Sequence, residues 1–180
     1  MRRQWDRAQE LLTQAKEIFS ELDIKAGEAF ILKNLADLHR ARGEIKQSSL
    51  LADRALSLAQ RVEEQQLVAE IVLLKGELLQ EEGGSGRVYL QWALELANRI
   101  KIKETIWPIH AALARLAVSD RRFVEAQEHY QKVLAIFKQS LRHINQPELR
   151  NHYLFEPRRR QVLREIKKLR QEVCRHVSLA

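Results

Sequence analysis

Cysteine is all but missing from this 180-residue chain. Cys174 is the single one, so no internal disulfide can form and a reducing, cytoplasmic setting is expected. Proline and glycine are sparse, three and six residues, which leaves few forced breaks in regular structure. No apolar run approaches the length of a membrane span, so no membrane association is expected. The opening stretch Met1-Arg2-Arg3-Gln4-Trp5-Asp6 has no apolar run behind its charges and does not read as a signal peptide. β-Branched residues are scattered singly and no alternation of apolar and polar residues is sustained, which argues against a sheet. What remains is rich in Ala, Leu, Glu, Lys, Arg and Gln, the good helix formers, and implies an all-α chain.

Acidic residues are short in one place only. Residues 1–137 hold 20 basic and 20 acidic side chains, whereas residues 138–180 hold 11 basic and 4 acidic ones. The whole net charge of +7 therefore lies in the last quarter.

Self-similarity is evident. Ala55-Leu56-Ser57-Leu58-Ala59 and Ala93-Leu94-Glu95-Leu96-Ala97 match almost letter for letter, 38 residues apart. Triplets at spacing four and three recur with them: Ala8, Leu12, Ala15; Ser48, Ala52, Ala55; Gly86, Leu90, Ala93; and Ala126, Tyr130, Val133. Such spacing sets each triplet on one helix face, and its small residues allow a neighbouring helix to approach closely. A second set precedes the last three triplets: Leu32, Leu35, Ala36, His39; Val72, Lys75, Gly76, Leu79; and His110, Leu113, Ala114, Ala117. Turns are expected between the two helices at Arg42-Gly43-Glu44, Gly83-Gly84-Ser85-Gly86 and Ser119-Asp120-Arg121, where glycine can supply a left-handed helix end.

These residues resemble the tetratricopeptide repeat, with Leu35-Ala36 and Lys75-Gly76 at its L-G step and Ala126 and Tyr130 at its A-x3-F step. The chain departs from the family pattern in having Leu32, Val72 and His110 for the first-helix Trp, in lacking the closing Pro, and in a longer period. Lengthened units of this kind are familiar in bacterial signalling and regulatory proteins. The resemblance implies a right-handed α-solenoid of antiparallel helix pairs: a half unit at 2–23, full units at 25–62, 66–100 and 104–142, and a basic C-terminal capping segment at 143–180. The half unit begins on what reads as a second helix. Its residues Leu11, Leu12, Ile18, Phe19 and Leu22 need cover on more than one side. The expectation is a fragment of a longer protein, or a homodimer formed through this half unit.

The resemblance also implies a concave groove lined by first helices. Carried over by position, it presents Phe30, Lys33, Asn34, Asp37 and Arg40, then Glu70, Leu73, Glu77 and Gln80, then Ala111 and Arg115. This mixed surface suits a helix or an extended peptide. Some family members clamp a peptide's terminal carboxylate with Lys, Asn and Arg. Lys33 and Asn34 fall in suitable places, but Glu70 and Leu74 stand where basic groups are needed, so no such clamp is expected.

Beyond Leu141 the pattern stops. Pro147-Glu148-Leu149-Arg150 with Tyr153-Leu154 resembles the closing segment of repeat regions in bacterial multidomain regulators. Pro157 marks a break before a final helix, Arg158 to Val177, with Val162, Ile166, Leu169 and Val173 as its apolar stripe. Its cations Arg158, Arg159, Arg160, Arg164, Lys167, Lys168 and Arg170 read first as the solvated face of a cap. They read second as a nucleic-acid contact.

Catalytic chemistry finds no footing. Gly83-Gly84-Ser85-Gly86-Arg87 lacks the Lys and the preceding strand of a phosphate loop. The histidines His39, His110, His129, His143, His152 and His176 are scattered, and Cys174 and His176 fall on different helix faces, so neither a metal nor a cofactor is expected. His39 occupies a packing position of the repeat. The expected function is a protein–protein interaction or scaffolding module rather than an enzyme. A ligand- or peptide-sensing regulatory domain is the alternative.

Overall fold

The helix-forming composition is expressed as nine α-helices among the described residues, with no strand among them. They are α1 (Arg2–Glu21), α2 (Lys25–Ala41), α3 (Ile45–Arg61), α4 (Gln65–Glu81), α5 (Arg87–Ile100), α6 (Lys103–Ser119), α7 (Phe123–Leu141), α8 (Pro147–Phe155) and α9 (Pro157–Val177). The structure is a computed structural model that describes residues 2–177, with side chains from Gln4 to Glu172. The side chains of Val173, Cys174 and His176 lie outside the described residues. The chain forms two compact units, residues 1–105 and 106–180, divided within the first turn of α6.

In the first unit each helix packs on the next, and α2 also lies beside α4. Links of three residues, or five between α4 and α5, reverse the chain direction between packed helices, so these are helix pairs. The faces set by the triplets are the ones buried: Ser48, Ala52 and Ala55 on α3, and Leu90 and Ala93 on α5. Small residues let α3 come close enough to α2 for the buried Ser48 hydroxyl to donate to the Ala36 carbonyl at 2.7 Å. Leu32, Leu35 and Ala36 on α2 and Ile71, Val72 and Leu74 on α4 complete the core. His39 is buried at the end of α2, its Nδ1 paired with the Glu44 carboxylate.

The six links from α1 to α7 share one device. Asp23, Gly43, Glu63, Gly83, Lys101 and Arg121 all take a left-handed conformation, with φ between 55° and 84°. At five of them the following residue donates its N–H to a carbonyl five positions back, as in Glu44 to His39 (2.9 Å) and Arg122 to Ala117 (2.7 Å). Orphan carbonyls at the helix end are satisfied in this way. Glycine occupies two of these six sites, and ordinary side chains bear the strain at the other four.

The second unit is built on α7 and α9. Val162, Ile166 and Leu169 of α9 join Trp107, Ala111, Ala114, Ala126, Tyr130, Val133 and Phe137 in one apolar cluster. The Trp107 and Phe137 rings meet edge to face at 5.2 Å, and Phe137 meets Tyr153 the same way at 6.1 Å. Glu156 leaves helical geometry between α8 and α9 (ψ 133°), and its carboxylate accepts the Arg159 N–H at 3.0 Å. This caps α9, while Pro157 fills the first helical position, where no donor is needed.

Candidate functional site

The residues assigned to a groove on α2 and α4 are brought together. Lys33, Asp37 and Arg40 follow one another at spacing four and three on α2, and Glu70 and Glu77 lie seven apart on α4. Lys33 Nζ sits 2.9 Å from Asp37 and 3.8 Å from Glu70. The Arg40 guanidinium pairs with Glu77 and donates from Nη2 to Glu81 at 2.7 Å. Burial alone would lower the Arg40 pKa, but the two carboxylates outweigh it and hold it above its ordinary value. Asn34, Leu73 and Gln80 are half-buried on the same two helices, and Phe30 is half exposed. Pairs as open to water as these contribute at most about 1 kcal/mol each. Their larger effect is on the charge the face presents. Lys33 and Arg40 stand against Asp37, Glu70, Glu77 and Glu81, which leaves the face acidic. Lys33, held by two carboxylates, is poorly placed to clamp a third.

Ala111 and Arg115, assigned to a third stretch of the groove, are placed differently. Ala111 is fully buried in the cluster of the second unit and presents no surface. Arg115 Nε donates to both oxygens of Glu165 on α9, at 3.2 and 3.1 Å, and the Tyr130 hydroxyl donates to Glu165 at 3.2 Å. Burial first, and Glu165 second, push the Tyr130 phenol well above its usual pKa, so it stays a donor. Arg115 thus fastens α9 to the helices beneath it.

The basic segment divides as well. Arg159 turns inward, with its side chain 13% exposed and 3.6 Å from Glu156. Its guanidinium lies 4.0 Å from the Tyr153 ring centre and 5.5 Å from that of Trp107. Arg158, Arg160, Arg164, Lys167, Lys168 and Arg170 remain exposed on α9. Lys168 comes within 3.9 Å of Glu172, and Arg160 lies 5.9 Å from the Phe155 ring.

Two features went unread in the sequence. The first is a hollow of about 450 Å³ in the second unit, open to solvent. Leu134, Phe137, Leu141, Leu154 and Leu163 form its apolar wall, and Lys138, Arg142 and Arg150 supply its polar groups. Three helices contribute to it, so no single periodic pattern announces it. Lys138 and Arg142, one turn apart beside Leu134 and Leu141, were the available signal. The second is a histidine pair. His110 Nδ1 on α6 stands 3.0 Å from His129 Nδ1 on α7, with the rings tilted by 37°. Burial, and then the neighbouring His129 and Lys132, lower the His110 pKa to about 4.

No protein-family model matches the chain, and no curated protein matches it. Among the described residues no three His, Cys, Asp or Glu side chains converge as metal ligands do, and no helix is long and apolar enough to cross a membrane.

Proposed function

We propose that this chain is a helical repeat protein of the tetratricopeptide kind, wound as a right-handed solenoid, whose α2–α4 face holds a protein or peptide partner. The observation that carries the reading is the pairing of Lys33 with Glu70 and of Arg40 with Glu77 and Glu81. First helices of successive units are joined there into one surface with an excess of carboxylates. A basic helix or extended peptide complements that surface in charge. The role is scaffolding or regulation rather than catalysis, since the carboxylates of this face are engaged in ion pairs. The proposed setting, following the resemblance, is the cytoplasm of a bacterium and a signalling or regulatory assembly.

Fluorescence anisotropy with labelled helical peptides of matched length, one Lys-rich and one Glu-rich, tests this. The Lys-rich peptide is expected to bind preferentially. Glu70→Lys with Glu77→Lys should weaken it about tenfold or more, roughly 1.4 kcal/mol, without loss of helicity. Equal binding of both peptides, or binding unmoved by the double reversal, would remove the assignment.

The hollow favours a second reading, a ligand-sensing domain. An apolar wall beside Lys138, Arg142 and Arg150 suits a small amphiphilic anion. A thermal shift with a medium-chain carboxylate, lost in Arg142→Glu, would support it over the first reading.

A further inference from the structure

Helix α1 carries an apolar seam that its own unit leaves open. Leu11, Ile18 and Leu22 are 53%, 55% and 63% exposed. Forty residues on, the corresponding positions are Leu51 and Leu58 of α3 and Val62 just past its end, where Leu51 is 8% exposed and the other two are half-buried. The same helix face is thus covered by neighbouring helices on α3 and bare on α1. The Phe19 ring fills the space left at Gly27 of α2, and Trp5 and Leu12 are half-buried, so these three do not belong to the bare side; Ala8 and Ala15, also half-buried, border it.

The bare side, together with the half-buried Ala8 and Ala15 at its border, has the spacing of a coiled coil. Ala8, Ala15 and Leu22 repeat every seven residues, and Gln4, Leu11 and Ile18 repeat between them at alternating steps of three and four. Arg7, Gln14 and Glu21 form the flanking position one residue before the first set. All three are exposed.

We propose that this seam is a homodimer interface, in which α1 packs antiparallel against α1 of a second copy. The register follows from size and charge. With the two-fold axis level with residue 13, Leu11 packs on Ala15 of the second copy and Ile18 on Ala8, so each large side chain meets a small one, and the Gln14 side chains of the two copies flank the axis. Arg7 of each copy then faces Glu21 of the other, which makes two ion pairs by symmetry. A parallel arrangement would stack Ala on Ala and leave voids between larger layers. The antiparallel seam from Gln4 to Leu22 is about 28 Å long at 1.5 Å per residue. The interface rests on α1 alone and is independent of the α2–α4 face.

Sedimentation of the full chain across a concentration series tests it. A monomer–dimer equilibrium is expected. Ile18→Asn should shift it to monomer while circular dichroism stays unchanged. Arg7→Glu and Glu21→Arg should each raise the dimer dissociation constant about tenfold, and the two together should restore it. In a Cys174→Ser background, Gln14→Cys should form a disulfide-linked dimer under mild oxidation, whereas Leu22→Cys should not. A chain monomeric at every concentration overturns the proposal. A dimer indifferent to Ile18→Asn, or a charge swap that restores nothing, overturns it equally. So does a monomer that instead takes up a peptide of residues 25–41, since the seam would then be a site for another helix.

Discussion

A Cβ added to Gly86 would overlap the carbonyl oxygen of Gly76 and stand 2.7 Å from its carbonyl carbon. The start of α5 therefore rests directly on the backbone of α4, and no side chain can turn aside to make room. Gly86→Ala should force the two helices apart and cost about 3 kcal/mol. Gly76→Ala meets side-chain atoms of Leu90 instead, the nearest at 2.8 Å. Its clash is partly offset by a gain in helix propensity of about 1 kcal/mol. Urea melts of the two variants should rank Gly86→Ala clearly below Gly76→Ala. A Gly86→Ala chain as stable as the parent would show that α4 and α5 do not approach this closely.

The left-handed links make the opposite prediction. Glu63 and Arg121 hold φ of 57° and 58°, and both are exposed. Glycine takes this conformation without a steric penalty, at some cost in unfolded-chain entropy. Glu63→Gly and Arg121→Gly should each stabilise the chain by about 0.5 kcal/mol, read as a rise in urea midpoint at constant slope. Gly43→Ala should cost about 1 kcal/mol by conformation alone, because a Cβ there meets nothing within 4 Å.

The same sites show how far the sequence can be read. Helix pairs are legible because Ser48, Ala52 and Ala55, like Gly86, Leu90 and Ala93, repeat at a spacing that only a helix face explains. The links at Gly43 and Gly83 are legible because glycine advertises a left-handed backbone. Asp23, Glu63, Lys101 and Arg121 advertise nothing, and emerge only as residues at the same step in the repeat. Likewise Lys33, Arg40, Glu70 and Glu77 could be set on one face from register. That Arg115 serves Glu165, fifty residues away, could not, because a long side chain chooses its partner after the helices have packed. Arg159 stacked on Tyr153 is a similar case: in the sequence it is one of three successive arginines.

The Glu165 junction gives a quantitative test of that reassignment. Glu165 accepts from both Arg115 and Tyr130 at the edge of the apolar cluster. Glu165→Gln should keep the shape but lose the charge-assisted bonds, costing roughly 1–2 kcal/mol. Arg115→Ala should cost a similar amount, and a double-mutant cycle between the two should show about 1 kcal/mol of coupling. Peptide binding at the α2–α4 face should be unaffected by Arg115→Ala. Strictly additive losses, or a binding defect without a stability defect, would return Arg115 to the groove.

Burial of His110 predicts an acid limb of stability. His110 is held neutral in the folded chain, its pKa lowered to about 4 from an ordinary 6.5, first by burial and then by His129 and Lys132. The unfolded chain takes up this proton near pH 6.5 and the folded chain does so only near pH 4. Between those values the unfolded state binds more protons, so stability is full above about pH 6.5 and falls as the pH drops toward 4. The loss from this one group is on the order of 3 kcal/mol at most. Urea midpoints measured from pH 7.5 to 4.5 should decline across that window, and His110→Gln, which keeps a polar side chain but cannot titrate, should flatten the decline. If the variant shows the same slope as the parent, other groups carry the acid sensitivity and the His110–His129 contact does not set it.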